Sequence, residues 1–208
     1  SMGAMALVSC GGKGVDYTFE AEDAVLVGEA QSWGQSSPMS VETGATARDE
    51  NVEVTVVGNF NVVNEQSITW TVTSDKECDA KITLHAASAS MWMGETGMGL
   101  CAIDLSGTQL ALTNNGTKIS LTGTLPASKE GWDMNAEFSE WRNMGSGTGT
   151  IHLVKGKNEI QLKIVGAATA PEGGFPMSAG VNVEKIVINS EANLTFTKTD
   201  NSYKIMSM

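Results

Sequence analysis

The sequence predicts an all-β domain, a β-sandwich or jelly roll of two antiparallel sheets. Apolar and polar residues alternate in several short runs, for example Ile68, Trp70 and Val72 around Thr69 and Thr71. Turn residues separate these runs, and the 208 residues include 23 Gly and few stretches of strong helix formers. A period of two is typical of strands with one buried face. Closely spaced turns are typical of sandwiches and jelly rolls.

The same alternation recurs along the chain, at 82–86, 110–112, 119–121, 151–153 and 160–164. Asn114-Asn115-Gly116 predicts a tight hairpin between two of these strands, and the turn at 155–158 is expected to do the same for the next two. Three stretches show no strand pattern and are expected to be loops, at 28–50, 88–99 and 166–180. Long loops in a compact domain are commonly functional or mobile. The stretch 127–144 is ambiguous.

The charge balance excludes some ligand classes. The formal net charge is −11, so the chain has no basic footprint for nucleic acid, and an anionic membrane surface would repel it. An acidic balance is compatible with a neutral ligand or with carboxylates around a metal. Acidic surfaces also simply confer solubility, so charge alone does not decide between these readings.

The first residues suggest export. Residues 1–5 resemble a cloning remnant, whereas Leu7-Val8-Ser9-Cys10 resembles a bacterial lipobox without its apolar region, which would make Cys10 a lipid anchor at the cell surface. The alternative is an ordinary flexible leader. Cys78 and Cys101 then remain as either a disulfide pair or two buried thiols.

The pattern predicts one domain. We expect a leader over 1–16, a single β-sandwich over 17–190, and an extension over 191–208 that adds a strand or begins a linker. The domain is expected to be monomeric.

Six motifs in order resemble carbohydrate-binding modules of families 6 and 35. These are the Glu-Ala-Glu opening strand at 17–24, the glycine-aromatic loop at 58–60 before the strand at 67–72, the hairpin at 115–118, the aromatic pair at 138–141, the turn at 155–160 and the closing segment at 180–186. Where family members commonly have Asp and Trp, this chain has Glu184 and Phe138. The resemblance implies a galactose-binding-domain-like β-sandwich with a non-catalytic sugar site.

The resemblance also implies a structural calcium ion held by Glu20, Glu22 and Glu184. Glu20 and Glu22 are two apart, so on a strand both carboxylates project from one face. Calcium takes six to eight oxygen ligands, including carboxylates. The alternative is a solvated acidic strand edge.

For the sugar site, the resemblance implies Phe60 and Phe138 as aromatic platforms and Asn182 as the amide. Trp132 lies just before Phe138, and Trp33 and Trp92 lie in unusual loops, so all three are further candidates for polysaccharide or oligosaccharide binding. Aromatic walls with a few polar anchors are typical of ligand sites. Each of these rings has the alternative of packing beneath its own loop, and Trp70 and Trp141 are expected in the core.

Catalytic patterns are missing from the sequence. His85 and His152 lie on the polar phase of strands, and the chain has no Gly-x-Ser-x-Gly elbow, phosphate loop or zinc spacing. We therefore expect no enzyme activity. Two other readings stay open: an adhesion or assembly domain that binds protein through the same sandwich, and a glycosidase with paired carboxylates.

Overall fold

The computed structural model describes residues 14–32, 35–47, 52–61, 66–95, 97–128, 144–166, 169–201 and 205–206. These residues form a β-sandwich whose strand pairs are antiparallel, except that β5 pairs with β20 in parallel. The larger sheet has nine described strands: β1 (Val15–Glu20), β5 (Ser40–Ala47), β6 (Val52–Asn61), β8 (Cys78–Ser88), β11 (Ile103–Asp104), β14 (Leu121–Leu125), β15 (Gly145–Leu153), β18 (Gly180–Ser190) and β20 (Ile205–Met206).

The smaller sheet of the sandwich has six described strands: β2 (Val25–Val27), β7 (Ser67–Ser74), β12 (Leu110–Asn114), β13 (Thr117–Ile119), β16 (Gly156–Ile164) and β19 (Leu194–Thr197). Three strands form a separate end sheet: β9 (Met91–Gly94), β10 (Gly97–Leu100) and β17 (Gly174–Ser178). A hairpin pairs β3 (Glu29–Ser32) with β4 (Gln35–Pro38). A 3-10 turn, Ala21–Asp23, follows β1.

The apolar phases of the two large sheets meet in one core. Ile82 and Leu84 of the nine-stranded sheet and Ile160 and Leu162 of the six-stranded sheet are fully buried in the same cluster. Trp70 is also fully buried, as its strand phase predicts, and its indole Nε1 donates a hydrogen bond to the Glu20 carbonyl at 3.2 Å. That bond links the smaller sheet to the end of β1, so the core holds the acidic segment 20–23 in place.

The predicted hairpin at Asn114-Asn115-Gly116 is confirmed. Asn115 and Gly116 have φ of 48° and 81°, the left-handed values that a type I′ turn requires. The turn at 155–158 differs from the expectation. Strand β15 pairs with β8 and β14, whereas β16 pairs with β12 and β7, so this turn carries the chain from one sheet to the other.

Three segments expected to be loops contain strands. Residues 28–50 contain β3, β4 and β5, residues 88–99 contain β9 and much of β10, and residues 166–180 contain β17. The expected glycine-aromatic loop at 58–60 lies inside β6. The strands β3, β4, β9, β10 and β17 have only four or five residues each, too few to show the apolar alternation on which the prediction depended. The longer β5 has Val41 as its only large apolar residue.

The segment after residue 190 packs against the sandwich. Leu194 is buried, and β19 pairs with β7. Beyond it, the Asn201 amide donates to the carbonyls of Glu22 and Ala24 at 2.8 and 2.7 Å. This part of the segment therefore closes over the turn that follows β1.

Cys78 and Cys101 are free thiols, so the disulfide alternative is not formed. Cys78 begins β8 and its Sγ lies 3.6 Å from the Ser190 hydroxyl, whereas Cys101 follows β10 and its Sγ lies 3.5 Å from the Ser90 carbonyl. In the part of the chain that the structure describes, no helix has the length and apolar character needed to cross a membrane.

Candidate functional site

Trp92 lies across the end sheet on a surface made mainly of glycine. Gly99 is its partner on β10, and Gly174 is the diagonal neighbour on β17. A Cβ placed on Gly99 would lie 2.7 Å from the Trp92 Nε1, and one on Gly174 would lie 2.9 Å from its Cε3. These atoms belong to opposite edges of the indole, so the ring spans all three strands. Side chains at either glycine would displace it.

The opposite face of the end sheet carries an apolar row. Met98, Met93 and Phe175 are cross-strand partners on β10, β9 and β17. The Phe175 side chain is 52% exposed, and both methionines are half-buried. Because successive side chains of a strand alternate between faces, Trp92 and Phe175 present aromatic rings on opposite sides of the same small sheet.

Hydrogen bonds at Ser90 and Gly180 join the end sheet to the larger sheet. The Ser90 hydroxyl accepts from the Gly180 amide and donates to its carbonyl, both at 3.0 Å, and the Ala89 amide donates to the same carbonyl at 2.9 Å. Ser90 is fully buried. Asn182 lies two residues beyond this joint on β18, opposite Ala87, and is half-buried between the buried residues Val181 and Val183. Its amide therefore lies on the outward phase of β18, close in sequence to the end sheet.

The remaining candidates for sugar contact fall into two groups. Phe60 is 1% exposed and packs in the core opposite Val181. A ring with no exposed face cannot stack on a sugar, so we leave Phe60 out of the site. Trp33, Trp132 and Phe138 lie outside the described residues.

The three predicted metal ligands converge at one corner of the sandwich, by a route that differs from the expectation. The strand β1 ends at Glu20, and Glu22 lies in the 3-10 turn, so strand alternation does not align the two carboxylates. Glu184 comes from a β-bulge in β18, between Val183 and Lys185, and is 8% exposed. A bulge re-aims a side chain away from ordinary strand phase. We call Glu20, Glu22 and Glu184 the acidic corner.

Burial and repulsion between carboxylates raise the pKa values of Glu20 and Glu22. Burial is the largest cause for Glu22, whose pKa rises from 4.5 to about 7, and the charges of Glu20, Asp23 and Glu184 raise it further. The pKa of Glu20 is also raised, chiefly by burial, although Lys185 opposes the rise. The Glu22 Oε2 is buried without a hydrogen-bond partner. An unpartnered buried carboxylate oxygen is costly unless a cation or proton meets it.

Two ammonium groups satisfy other carboxylates nearby. Lys185 Nζ lies 2.8 Å from Glu184 Oε1, and Lys198 Nζ lies 2.7 Å from Asp23 Oδ2. As the side chains stand, no group of three or more His, Cys, Asp or Glu residues in the described ranges is arranged to hold a metal ion. The carboxylates of the acidic corner, with the unpartnered Glu22 Oε2 among them, are the kind of ligand that a hard cation such as calcium binds. Glu184 would have to leave Lys185 to bind the same ion.

Known structures with similar folds include carbohydrate-binding modules. A family 35 module from Clostridium thermocellum is 14% identical, with 84% of this chain and 97% of that chain covered and a TM-score of 0.47. A family 6 module from Bacillus halodurans, described as β-1,3-glucan binding, is 16% identical, with 84% and 96% covered and a TM-score of 0.43.

The Podospora anserina GH26-CBM35 β-(1,4)-mannanase is 18% identical, with a TM-score of 0.46. That match covers 87% of this chain, which spans only 28% of the mannanase chain. No family model matches the sequence, and no curated protein matches it. The similar modules belong to the two families that the sequence motifs resemble.

Sequence reasoning missed Phe175. It lies in the segment 166–180, which was expected to be a loop without candidates, and Pro176 beside it disfavours a strand prediction. The available signal was glycine. Residues 94–99 are rich in glycine and follow Trp92, and Gly173-Gly174 directly precedes Phe175. Glycine inside a strand commonly marks close approach of another group, here the indole of Trp92.

Proposed function

We propose that this chain is a non-catalytic carbohydrate-binding domain that binds a polysaccharide or oligosaccharide at the end sheet. The observation that carries the proposal is the Trp92 indole, which lies across a surface of glycine between Gly99 and Gly174. With one face against the backbone, a flat ring can offer its other face to the apolar C–H surface of a sugar. The exposed Phe175 lies on the opposite face of the end sheet, so it is not part of this platform.

Polar groups near the platform would fix the orientation of the sugar. The Asn182 amide can both donate to and accept from sugar hydroxyls, and it lies on the strand that leaves the end sheet. Trp132, Phe138 and Trp33 stay in the proposal as further platform residues. An open platform covers only part of a sugar and leaves its polar groups to exchange with water, so we expect weak binding at each site. Display of several copies on a surface would raise the effective affinity.

A structural calcium ion at the acidic corner is part of the proposal. Glu22, Glu20 and Glu184 would hold it, and the ion would supply the positive charge that the buried Glu22 oxygen lacks. Two separate segments meet here: the end of β1 with the 3-10 turn that follows it, and the bulge of β18. Binding at their junction would stabilise the folded chain without taking part in sugar recognition.

We also propose that the domain works outside the cytoplasm, at the cell surface, with Cys10 as a lipid anchor. The lipobox-like residues 7–10 support this location, and a surface location is where weak multivalent glycan binding is useful. Mass spectrometry of the protein purified from its native membranes would detect a lipid on Cys10. Recovery of the unmodified peptide alone would contradict the anchor.

The proposal of binding without catalysis has a physical basis. Glycoside hydrolysis requires two carboxyl groups that face each other across the sugar. The two cavities on the outer face of the larger sheet contain one carboxylate between them, that of Asp16. At the acidic corner, Glu184 is paired with Lys185, and Glu22 is held beneath Asn201.

The test is a glycan array followed by titration of the strongest ligand. Trp92→Ala should weaken binding at least tenfold, whereas Phe175→Ala should keep full affinity, because Phe175 lies on the opposite face of the end sheet. Val27→Ala is the matched control, because Val27 is an exposed apolar residue, 51% exposed, on β2 of the other sheet. Full affinity in Trp92→Ala would contradict the site. Product release from any bound glycan would contradict the absence of catalysis.

One observation favours a second candidate, a domain that binds protein. Met98, Met93 and Phe175 form a continuous apolar row, and methionine-rich surfaces suit adaptable protein contacts. The two candidates make different predictions. A protein partner would be lost in Met93→Ser and retained in Trp92→Ala, whereas a glycan would show the opposite pattern.

A further inference from the structure

The outer face of the larger sheet carries a polar groove away from the end sheet. Two adjoining cavities form it, with volumes of about 660 and 540 Å³, and both are lined by Lys81. The first lies over β1, β18 and β8. The second lies over β8, β15 and β14, and Lys118 of β13 lines it as well. At a strand spacing of about 4.8 Å, five adjacent strands extend over roughly 19 Å. The groove is long enough for several sugar units.

A row of hydroxyl side chains crosses the groove. Strand register aligns Thr122, Thr148 and Thr83 as successive cross-strand partners, and Val187 separates Thr83 from Thr18. Thr83 lies between the fully buried Ile82 and Leu84, so its side chain and those in register with it lie on the solvent side of the sheet. A hydroxyl both donates and accepts a hydrogen bond. A row of hydroxyls therefore matches a chain of sugar hydroxyls.

The charges in the groove leave two ammonium groups at its centre and far end. Asp16 accepts a hydrogen bond from the Asn189 amide at 2.7 Å, and Lys185 is paired with Glu184. Lys81 and Lys118 have no ion-pair partner among the described residues. Lys81 stands between Asn189 of β18 and Thr150 of β15. Two lysines against the single carboxylate of Asp16 leave the groove with a positive balance on a chain of net charge −11.

We propose that this groove is a second glycan site, selective for a polysaccharide that bears anionic substituents, either carboxylates or sulfate esters. Lys81 and Lys118 bind the anionic group, and the threonine row binds the sugar hydroxyls around it. The groove contains no Phe, Tyr or Trp ring among its described lining residues, so charge and hydrogen bonds provide its selectivity. The inference does not depend on the end-sheet site.

The net charge limits the density of charge on the ligand. At physiological salt, charges more than about 8 Å apart are largely screened, so the two lysines act only on a nearby anionic group. A dense polyanion would also bring charges close to the acidic remainder of the surface and be repelled there. A ligand with spaced anionic groups is therefore favoured over a fully charged one. This also excludes nucleic acid, which carries a charge on every nucleotide.

The experiment compares charged polysaccharides with their neutral counterparts by titration at low and high salt. One pair is partly methyl-esterified pectin against fully esterified pectin, which tests carboxylates. The other is κ-carrageenan against agarose, which tests sulfate esters. We expect at least one charged member to bind tenfold more tightly than its neutral partner, and the difference to shrink as salt is raised.

Variants then assign the binding to the groove. The double variant Lys81→Gln/Lys118→Gln should lose at least tenfold in affinity for the charged ligand, with an unchanged melting temperature, because both side chains are exposed. Lys163→Gln, on β16 of the smaller sheet, is the control, because it removes one lysine charge at a site away from the groove. Trp92→Ala should keep the charged ligand even where it loses a neutral one, so the two sites fail separately. Equal binding of charged and neutral members, no binding of either charged member, or full affinity in the double variant would overturn the proposal.

Discussion

The side-chain amide of Asn114 donates a hydrogen bond to the Asn158 side-chain oxygen at 2.8 Å, and both residues are buried. Asn158 also accepts from the Val154 amide and donates to the carbonyls of Val154 and Gly156. Asn114 donates to the His152 carbonyl. One buried asparagine therefore organises the turn by which the chain passes from the larger sheet to the smaller, and a second ties that turn to β12.

Asn158→Ala should destabilise the fold by about 3 kcal/mol, because it leaves several buried polar groups without partners. Urea unfolding with a linear extrapolation would measure the loss. Asn193→Ala is a suitable control. The Asn193 amide bonds to Asp75 at an exposed turn, so its loss should cost about 1 kcal/mol or less. Similar losses in both variants would contradict the role of Asn158.

Cys78 and Cys101 should be reduced in the native protein. Cys78 is buried at the start of β8, so reagents reach its thiol poorly. Burial raises the pKa of the Cys101 thiol, so little reactive thiolate forms there. Dithiothreitol should leave the melting temperature unchanged, and alkylation of both residues should be fast only after unfolding. A non-reducing digest that yields a peptide linking the two cysteines would contradict this prediction.

The core strands could be predicted from the sequence because each buries one face. Ile82 and Leu84, or Ile160 and Leu162, alternate with polar residues for that reason. The end sheet could not be predicted in this way. Gly94, Gly97 and Gly99 supply no apolar alternation, and Gly99 instead leaves space for the Trp92 ring.

The acidic corner was predictable in its residues but not in its geometry. The pattern at 20–22 implied two carboxylates on a continuous strand, whereas the chain enters a 3-10 turn at Ala21. Glu184 reaches the same corner because β18 is bulged there. Local spacing does not reveal a bulge in a distant strand, and burial of Glu22 depends on a C-terminal segment that includes Asn201.

Gly99→Ala should displace the Trp92 ring, because the new Cβ would lie 2.7 Å from Nε1. Relieving that contact should cost about 1–3 kcal/mol of stability. If Trp92 is the sugar platform, the same change should weaken glycan binding about tenfold and alter tryptophan fluorescence. Gly107→Ala, in an exposed turn, is the control. Its new Cβ would lie 3.1 Å from the Asp104 carbonyl oxygen and would not contact Trp92. Unchanged fluorescence and affinity in Gly99→Ala would place the ring elsewhere.

The acidic corner should make stability depend on both pH and calcium. The pKa of Glu22 is raised from 4.5 to about 7 in the folded chain, chiefly by burial. Between these values the unfolded chain releases a proton that the folded chain keeps, so rising pH favours unfolding. Without calcium, the stability that Glu22 contributes should therefore be greatest below pH 4.5, be lost as the pH rises toward 7, and then stay constant, so the melting temperature should fall across that window.

Calcium should reverse this loss, because it binds the ionised carboxylates of the folded state. The melting temperature at pH 8 should rise with added calcium and fall with chelator, and the response should fade as the pH drops below 7. Glu22→Gln should abolish the calcium response and remove most of the pH dependence in this window, leaving the part that Glu20 contributes. Glu95→Gln, at an exposed turn beside β9, should keep both. If the wild type melts at the same temperature in calcium and in chelator at pH 8, the acidic corner is not a calcium site. If Glu22→Gln retains the wild-type slope between pH 4.5 and 7, Glu22 is not the titrating group.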